Sequence, residues 1–262
     1  MQDSLGDRMK RYENVNRTYL TRRTPVIIRV DGKAFHTFTK GFQKPFDNFM
    51  IRAMQTTMQC LCENIQGCVF GYTQSDEITI VLVDYQTLET GAWFEYNVQK
   101  MCSVAASMAT LYFNQFLSRF CEGHITDVWT YTDPTTDYKW VYYKAMQKGA
   151  TFDARVFNIP KEEVCNNIFW RQLDAMRNSI QAYGRAYFTD RELYKKSTTD
   201  IKSMTLSIGH DWDKLCVYKQ RGSSCIKRAT SDGHSQWYVD EHMPILKGTD
   251  RAYIDNLIYI GE

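Results

Sequence analysis

No Cys-x-x-Cys pair occurs in this chain of 262 residues, although it holds eight cysteines. Cys60 and Cys62 are only two apart, a poor spacing for a structural zinc site, and the other thiols are scattered. They read as packing residues kept reduced, which points to the cytoplasm. The opening MQDSLGDRMKR has no apolar h-region, and no run approaches transmembrane length, so export and a membrane partner are not expected. Low-complexity segments and internal repeats are also missing. Charge of one sign is scarce overall: the net is +2. That excludes any argument for nucleic-acid binding from the whole molecule's charge.

What is present is apolar material and a local imbalance of charge. Hydrophobic residues make up 44% and aromatics 14%, enough for a sizeable core. The first 30 residues carry seven basic side chains against three acidic ones, a local +4 that leaves −2 for the rest. A second basic cluster comprises Lys214, Lys219, Arg221, Lys227 and Arg228. Patches of this kind can dock phosphates, although solvated surface charge explains any single member equally well.

Val26–Val30 is a short β-branched run that predicts a buried strand, ended by Asp31-Gly32-Lys33. Helical periodicity covers about 46–64, with Phe49, Ala53, Met54, Met58 and Leu61 as core positions. Strands are predicted at 68–72 and 78–83, joined by a polar hairpin connection, Thr73 to Glu77. A helix is expected over 93–117, an aromatic, turn-rich excursion between Cys121 and Lys148, and a fourth strand over 152–159. The resulting order is strand–helix–strand–strand–helix–strand. It predicts an α+β, ferredoxin-like split β-α-β antiparallel sheet with packed helices, as in a polymerase palm. Beyond Pro160 a helix over 161–187 and strand-like runs at 215–218, 224–226 and 236–239 form a C-terminal extension. We read residues 1–262 as a single catalytic unit, with a palm-like core over about 5–160.

Two carboxylate motifs fall at the ends of neighbouring strands in that arrangement: Val30-Asp31-Gly32 and Ser75-Asp76-Glu77. Close carboxylates repel, and their approach needs a compensating cation. Magnesium fits, because it takes hard oxygen ligands and shares its coordination with substrate phosphates. A pair of such ions serves displacement at phosphorus. The Gly32 carbonyl would add a ligand, and Lys33, Ala34, Phe35 and His36 would offer backbone N–H donors to a triphosphate. Each motif alone is also an ordinary strand end or hairpin turn.

The run Arg29-Val-Asp-Gly-Lys-Ala-Phe-His-Thr-Phe38, followed by Lys44-Pro-Phe-Asp47, resembles the nucleotide-binding segment of the tRNA-His guanylyltransferase family. Tyr72-Thr-Gln-Ser-Asp-Glu77 is similar to that family's second metal motif, and Phe152-Asp-Ala-Arg155 to its Phe-Asp-Gly-Arg element. The resemblance spans residues 8 to about 228. It implies that Asp31, the Gly32 carbonyl and Asp76 bind two magnesium ions, with Glu77 as a support to that shell. It also implies that residues 31–36, Ser75 and Asp76 hold ATP or GTP. Where eukaryotic members carry His-Ile-Asn-Asn after Trp-Arg-Gln, this chain has Arg177-Asn178-Ser179-Ile180. That departure resembles the bacterial and archaeal-type branch, whose members are similar to template-dependent enzymes repairing 5′-truncated tRNA.

The implied chemistry extends RNA in the 3′-to-5′ direction in two steps. A 5′-monophosphate RNA end attacks the α-phosphate of ATP or GTP and releases pyrophosphate. The 3′-hydroxyl of a templated nucleotide then attacks the activated end and releases the nucleoside monophosphate. Lys10, Arg29, Arg155, Arg177, Asn178, Lys195 and Lys196 are candidates for RNA or triphosphate contacts. The resemblance further implies a homotetramer, a dimer of dimers, with the aromatic stretch at 128–143 available to an interface. Two rival readings use the same residues differently: a nucleotide cyclase or cyclic-dinucleotide synthase, and an inactive RNA-binding module. His124, His210, His234 and His242 show no ligand spacing.

Overall fold

The computed structural model describes residues 4–125, 138–230 and 232–260. Six antiparallel strands form one sheet in the order β4-β1-β3-β2-β5-β6: β1 (Val26–Gly32), β2 (Cys68–Gln74), β3 (Glu77–Leu82), β4 (Phe152–Asn158), β5 (Ser223–Ala229) and β6 (Ser235–Asp240). The first four strands have the ferredoxin-like order expected from the sequence. β5 and β6 lengthen the same sheet beyond β2.

Alternation along β1 sorts its side chains. Val26, Ile28 and Val30 are buried against α3 (Asn48–Asn64) and α4 (Val98–Ile125). Ile27 packs on the opposite face, with α6 (Lys161–Arg185) and α10 (Ala252–Ile258). Further along that second face, Arg29 and Asp31 are only partly covered. The sheet is therefore closed by two helices on one side and left partly open on the other.

Local sequence explains the flanking helices. Asp47 caps α3 by accepting the Met50 N–H at 2.9 Å, which starts the helix two residues later than its periodicity suggested. Met101, Ala105, Ala109, Phe113, Leu117 and Cys121 are all buried along α4, an i, i+4 stripe whose small residues lie flat on the sheet. The helix expected from Trp93 instead begins at Val98. Phe94, Glu95 and Tyr96 have φ of 50°, 53° and 58°, a left-handed run that no α-helix accommodates, and they form a 3-10 turn. Asn97 then caps α4 through the Lys100 N–H at 3.0 Å.

Two further expectations are corrected. The predicted strand at 215–218 is absent, and Val217–Arg221 is a short helix, α9. The reason is Gln220, whose buried side-chain amide donates to the carbonyls of Trp212, Asp213 and Leu215 at 3.3, 3.1 and 2.9 Å and folds the segment back on itself. The aromatic excursion is partly helical: α5 covers Tyr138–Lys148, while residues 126–137 lie outside the described set. Between α6 and α9 run α7 (Asp190–Leu193) and α8 (Thr198–Ser207); Ile180, Tyr183, Leu193, Ile201 and Trp212 make a small core there. The chain begins with an exposed helix, α1 (Leu5–Asn14), and Phe35–Phe38 form a single turn, α2. Among the described residues no helix is long and apolar enough to cross a membrane.

Candidate active site

Asp31 lies near the end of β1, between two partners in register: Glu77 on β3 and Asp153 on β4. Cross-strand partners share a face, so three carboxylates form a row on the open side of the sheet. One step back, Arg29 stands opposite Arg155 on β4 and Thr79 on β3. A row of acids thus borders a pair of arginines.

Asp76 reaches the same end from the hairpin. Gln74 pairs with Glu77, so Ser75 and Asp76 alone make the turn, with Ser75 at φ 50°. The Gly32 N–H donates to the Asp76 carbonyl at 3.1 Å, tying the tip of the hairpin to the end of β1. Gly32 is required here. A Cβ at this position would lie 2.1 Å from Phe35 Cδ2, and the Phe35 ring is itself packed against Phe38, Phe113 and Phe152. Burial pushes the Asp76 carboxyl above the usual range and the charge of Asp31 adds to the effect, against a hydrogen bond from Ser75. Burial is thus the main cause and the nearby Asp31 charge a smaller one.

Glu77 differs. Arg171 of α6 donates from Nε to Oε1 at 2.7 Å and from Nη2 to Oε2 at 2.8 Å, and from Nη2 also to Asp174 at 2.9 Å. Arg177 and Asn178 bond the same Asp174. Burial raises Glu77, and the Arg171 guanidinium partly offsets it. Both Glu77 oxygens are thus occupied by protein, whereas Asp31 and Asp76 have no cation bonded to them among the described residues. Among those residues, too, no three or more His, Cys, Asp or Glu side chains are grouped so as to hold a metal unaided.

Beside the hairpin tip lies a cavity of about 240 Å³. Lys44, Phe46, Ser75, Asn178, Tyr218 and Gly222 are among its lining residues. Comparison with known proteins assigns the family. The model of the tRNAHis guanylyltransferase family matches residues 6–160. This chain belongs to the tRNAHis guanylyltransferase family.

A solved bacterial tRNA(His) guanylyltransferase-like protein in complex with ATP is 38% identical, with a TM-score of 0.83, over 98% of this chain and 100% of that one. A second structure of such a protein, in complex with GTP, gives 37% and 0.79 with the same coverage. A protein of Acanthamoeba polyphaga mimivirus is 30% identical over 234 residues, 84% of this chain and 76% of that protein. The tRNA(His) guanylyltransferase 2 of Arabidopsis thaliana is 24% identical over 80% of this chain, which spans only 37% of that longer protein.

Within this member of the guanylyltransferase family, the remaining sequence candidates separate by position. Lys33 faces solvent, and its N–H donates to the Thr151 carbonyl at 2.8 Å, so that donor is already used by the fold. Ala34, at φ 53°, leads into α2, where Phe35 is buried and His36 exposed. In this turn the Thr37 and Phe38 N–H groups donate to the Ala34 carbonyl, and those of Phe35 and His36 have no acceptor in their own helix. Arg29 has a buried Nε without a hydrogen-bond partner, and Arg155 is exposed beside Asp153 at 3.4 Å. Lys10 stands on α1, and Lys195 and Lys196 lie between α7 and α8; these elements are outside the sheet. Sequence reading did not show that Arg171 and Arg177, six residues apart on α6, both reach Asp174. It also overlooked Arg171 as the partner of Glu77, and Asp153 as the third member of the carboxylate row. The available signal for Arg171 was its place on the Ile168–Arg171–Ala175 stripe, a buried face on which a charged residue needs an anion.

Proposed function

We propose that this protein is a template-dependent nucleotidyltransferase that adds nucleotides to the 5′ end of tRNA in the 3′-to-5′ direction. The observation that carries the reading is the Asp31–Asp76 pair, two close carboxylates without a counter-ion at one end of a palm-type sheet, with Arg29 opposite Arg155 alongside. Family membership supports it, as do the relatives in complex with ATP and GTP.

The residues fit divalent magnesium. Asp31 and Asp76 offer hard oxygens, the Gly32 carbonyl would add another, and phosphates complete the coordination. When bound, magnesium would lower the pKa of the attacking hydroxyl and offset charge on the leaving group. The chain's own residues do the rest. The cavity beside Ser75 takes the base of the activating nucleotide, with Lys44 at its rim, and directs its triphosphate towards the carboxylates. Arg29 and Arg155 hold phosphate oxygens through their terminal guanidinium nitrogens, the Arg29 Nε being itself buried. Arg171 keeps Glu77 anionic but spoken for, so that it shapes the field around Asp31 without competing for the ion.

The deciding experiment supplies each nucleoside triphosphate separately to 5′-truncated tRNAs whose opposite template base is varied. Addition only of the complementary nucleotide is expected, and only with magnesium present. Equal addition of G whatever the opposite base would replace templated repair by untemplated addition. Cyclic product from ATP or GTP without RNA would replace the reading by a cyclase, and tight tRNA binding without incorporation by an inactive binding module. The tetramer expected from the resemblance is tested separately by sedimentation velocity.

A further inference from the structure

We infer that Trp170 is the stacking platform for the terminal base pair of the RNA, so that α6 seats the 5′ end beside Asp31 and Asp76. The inference takes from the proposed function one thing, a base-paired RNA end as substrate.

Trp170 is 54% exposed in the middle of a 25-residue helix whose other face is buried. Isolated exposed apolar side chains are common, so exposure alone says little. Three further observations separate this one. The indole is fixed: the Arg171 guanidinium carbon lies 4.6 Å from its ring, and Arg171 is itself clamped by Glu77 and Asp174. An aromatic surface held in this way loses little freedom when a base covers it.

The indole also faces the right groove. Successive α-helical residues are about 100° apart. On one flank of α6, Gln172 donates to the Pro244 carbonyl at 2.8 Å and accepts from the Leu246 N–H at 3.1 Å, so that flank faces the segment after β6. Arg171 descends to β3. Trp170, with Asp174 and Arg177, is on the opposite flank, the side of β1 and β4 in the strand order. The floor there carries Asp31, Arg29, Asp153 and Arg155. That side therefore joins two arginines, Asp31 of the carboxylate pair and one exposed aromatic face. Base–indole stacking accepts any base, which suits a substrate whose terminal pair varies.

An RNA end, rather than a free nucleotide, fits this wall because the nucleotide has its own place. The cavity lined by Lys44, Ser75 and Tyr218 lies beside the hairpin tip, and Trp170 is not among its lining residues.

The test uses the full chain and a short hairpin RNA with the fold of an acceptor stem, carrying 2-aminopurine as its 5′-terminal base, in the absence of nucleotide. Wild type and Trp170→Phe are expected to quench the fluorophore on binding. Trp170→Ala should lose the quench and bind the RNA roughly tenfold more weakly, the loss of one base–aromatic stack, with its affinity for ATP unchanged. Equal quenching by wild type and Trp170→Ala overturns the inference, as does no quenching by wild type. Weakened ATP binding with intact RNA binding also overturns it, by placing the indole on the nucleotide. A Trp170→Phe protein that behaves like Trp170→Ala does so too. Circular dichroism checks that each variant is folded. The same wild-type preparation, tested for extension of the RNA, judges the proposed function independently, since quenching requires no turnover.

Discussion

Replacing Arg171 by Met should be among the most damaging single changes in the protein, and its cost can be worked from the pair it breaks. The side chains of Arg171 and Glu77 are 10% and 7% exposed and meet through two short hydrogen bonds. Removing one partner from such a pair leaves an uncompensated buried charge and costs about 3–5 kcal/mol. A protein of this size loses roughly 2–4 °C of Tm per kcal/mol, so the loss should be roughly 6–20 °C. Thermal unfolding followed at 222 nm near neutral pH measures it. The double variant Glu77→Gln with Arg171→Met should recover much of the loss, because no buried charge then remains unpaired. The sign with pH is fixed as well. Without Arg171, burial and the charge of Asp31 raise Glu77 against Arg29 alone, and its folded pKa lies further above the unfolded value. The penalty is then full above the folded pKa and disappears as pH falls through it towards the unfolded value. The deficit of Arg171→Met should therefore shrink in acid. A deficit below about 1 kcal/mol at neutral pH, the level of an exposed pair, would refute the reasoning.

Asp76→Ala should abolish magnesium-dependent incorporation while its Tm stays level or rises, since a partly buried carboxylate whose charged form is disfavoured is removed; near-normal incorporation by the folded variant would sink the metal assignment. Gly32→Ala must displace the Phe35 ring and should cost about 1–3 kcal/mol in urea denaturation, as other overpacked sites do. Asp47→Ala removes the cap of α3 and the acceptor of the Tyr142 hydroxyl. Together these should destabilise by roughly 2–4 kcal/mol, whereas Tyr142→Phe should cost less. In the capping box of α8, hydrogen bonds from the Ser197 N–H and hydroxyl hold Asp200 below the usual carboxylate range. That contribution is present above the unfolded pKa and lost as pH falls through the folded one. The Tm difference between wild type and Asp200→Asn should therefore vanish in strong acid.

Short-range features were legible in the sequence and long-range ones were not. The β-branched run of β1 and the polar turn at Ser75–Asp76 follow from local preference. Alternation and strand order then bring Asp31 and Asp76 together. The bond between Arg171 and Glu77 spans 94 residues: the buried stripe of α6 shows that Arg171 needs an anion, and nothing local says that the anion is Glu77. The segment at 215–218 looked extended because its β-branched and aromatic residues favour a strand. A single amide, that of Gln220, determines its shape instead. At Phe94–Tyr96 the left-handed backbone is held from outside. The Leu20 N–H donates to the Tyr96 carbonyl at 3.0 Å, and Tyr19 bridges Asn97, so a contact with the N-terminal arm overrides helical propensity.

The two-residue hairpin has a consequence for how this chain can change in length. Asp31 belongs to a strand locked by ladders on both sides, and Asp76 occupies half of the shortest connection that β2 and β3 can make. The gap between the carboxylates is accordingly measured out by the backbone, in units of one residue. A single insertion or deletion at the tip has no slack to absorb it and would swing Asp76 out of the site or turn β3 over. Point substitutions can tune the charge around this pair, but lengthening has to occur elsewhere.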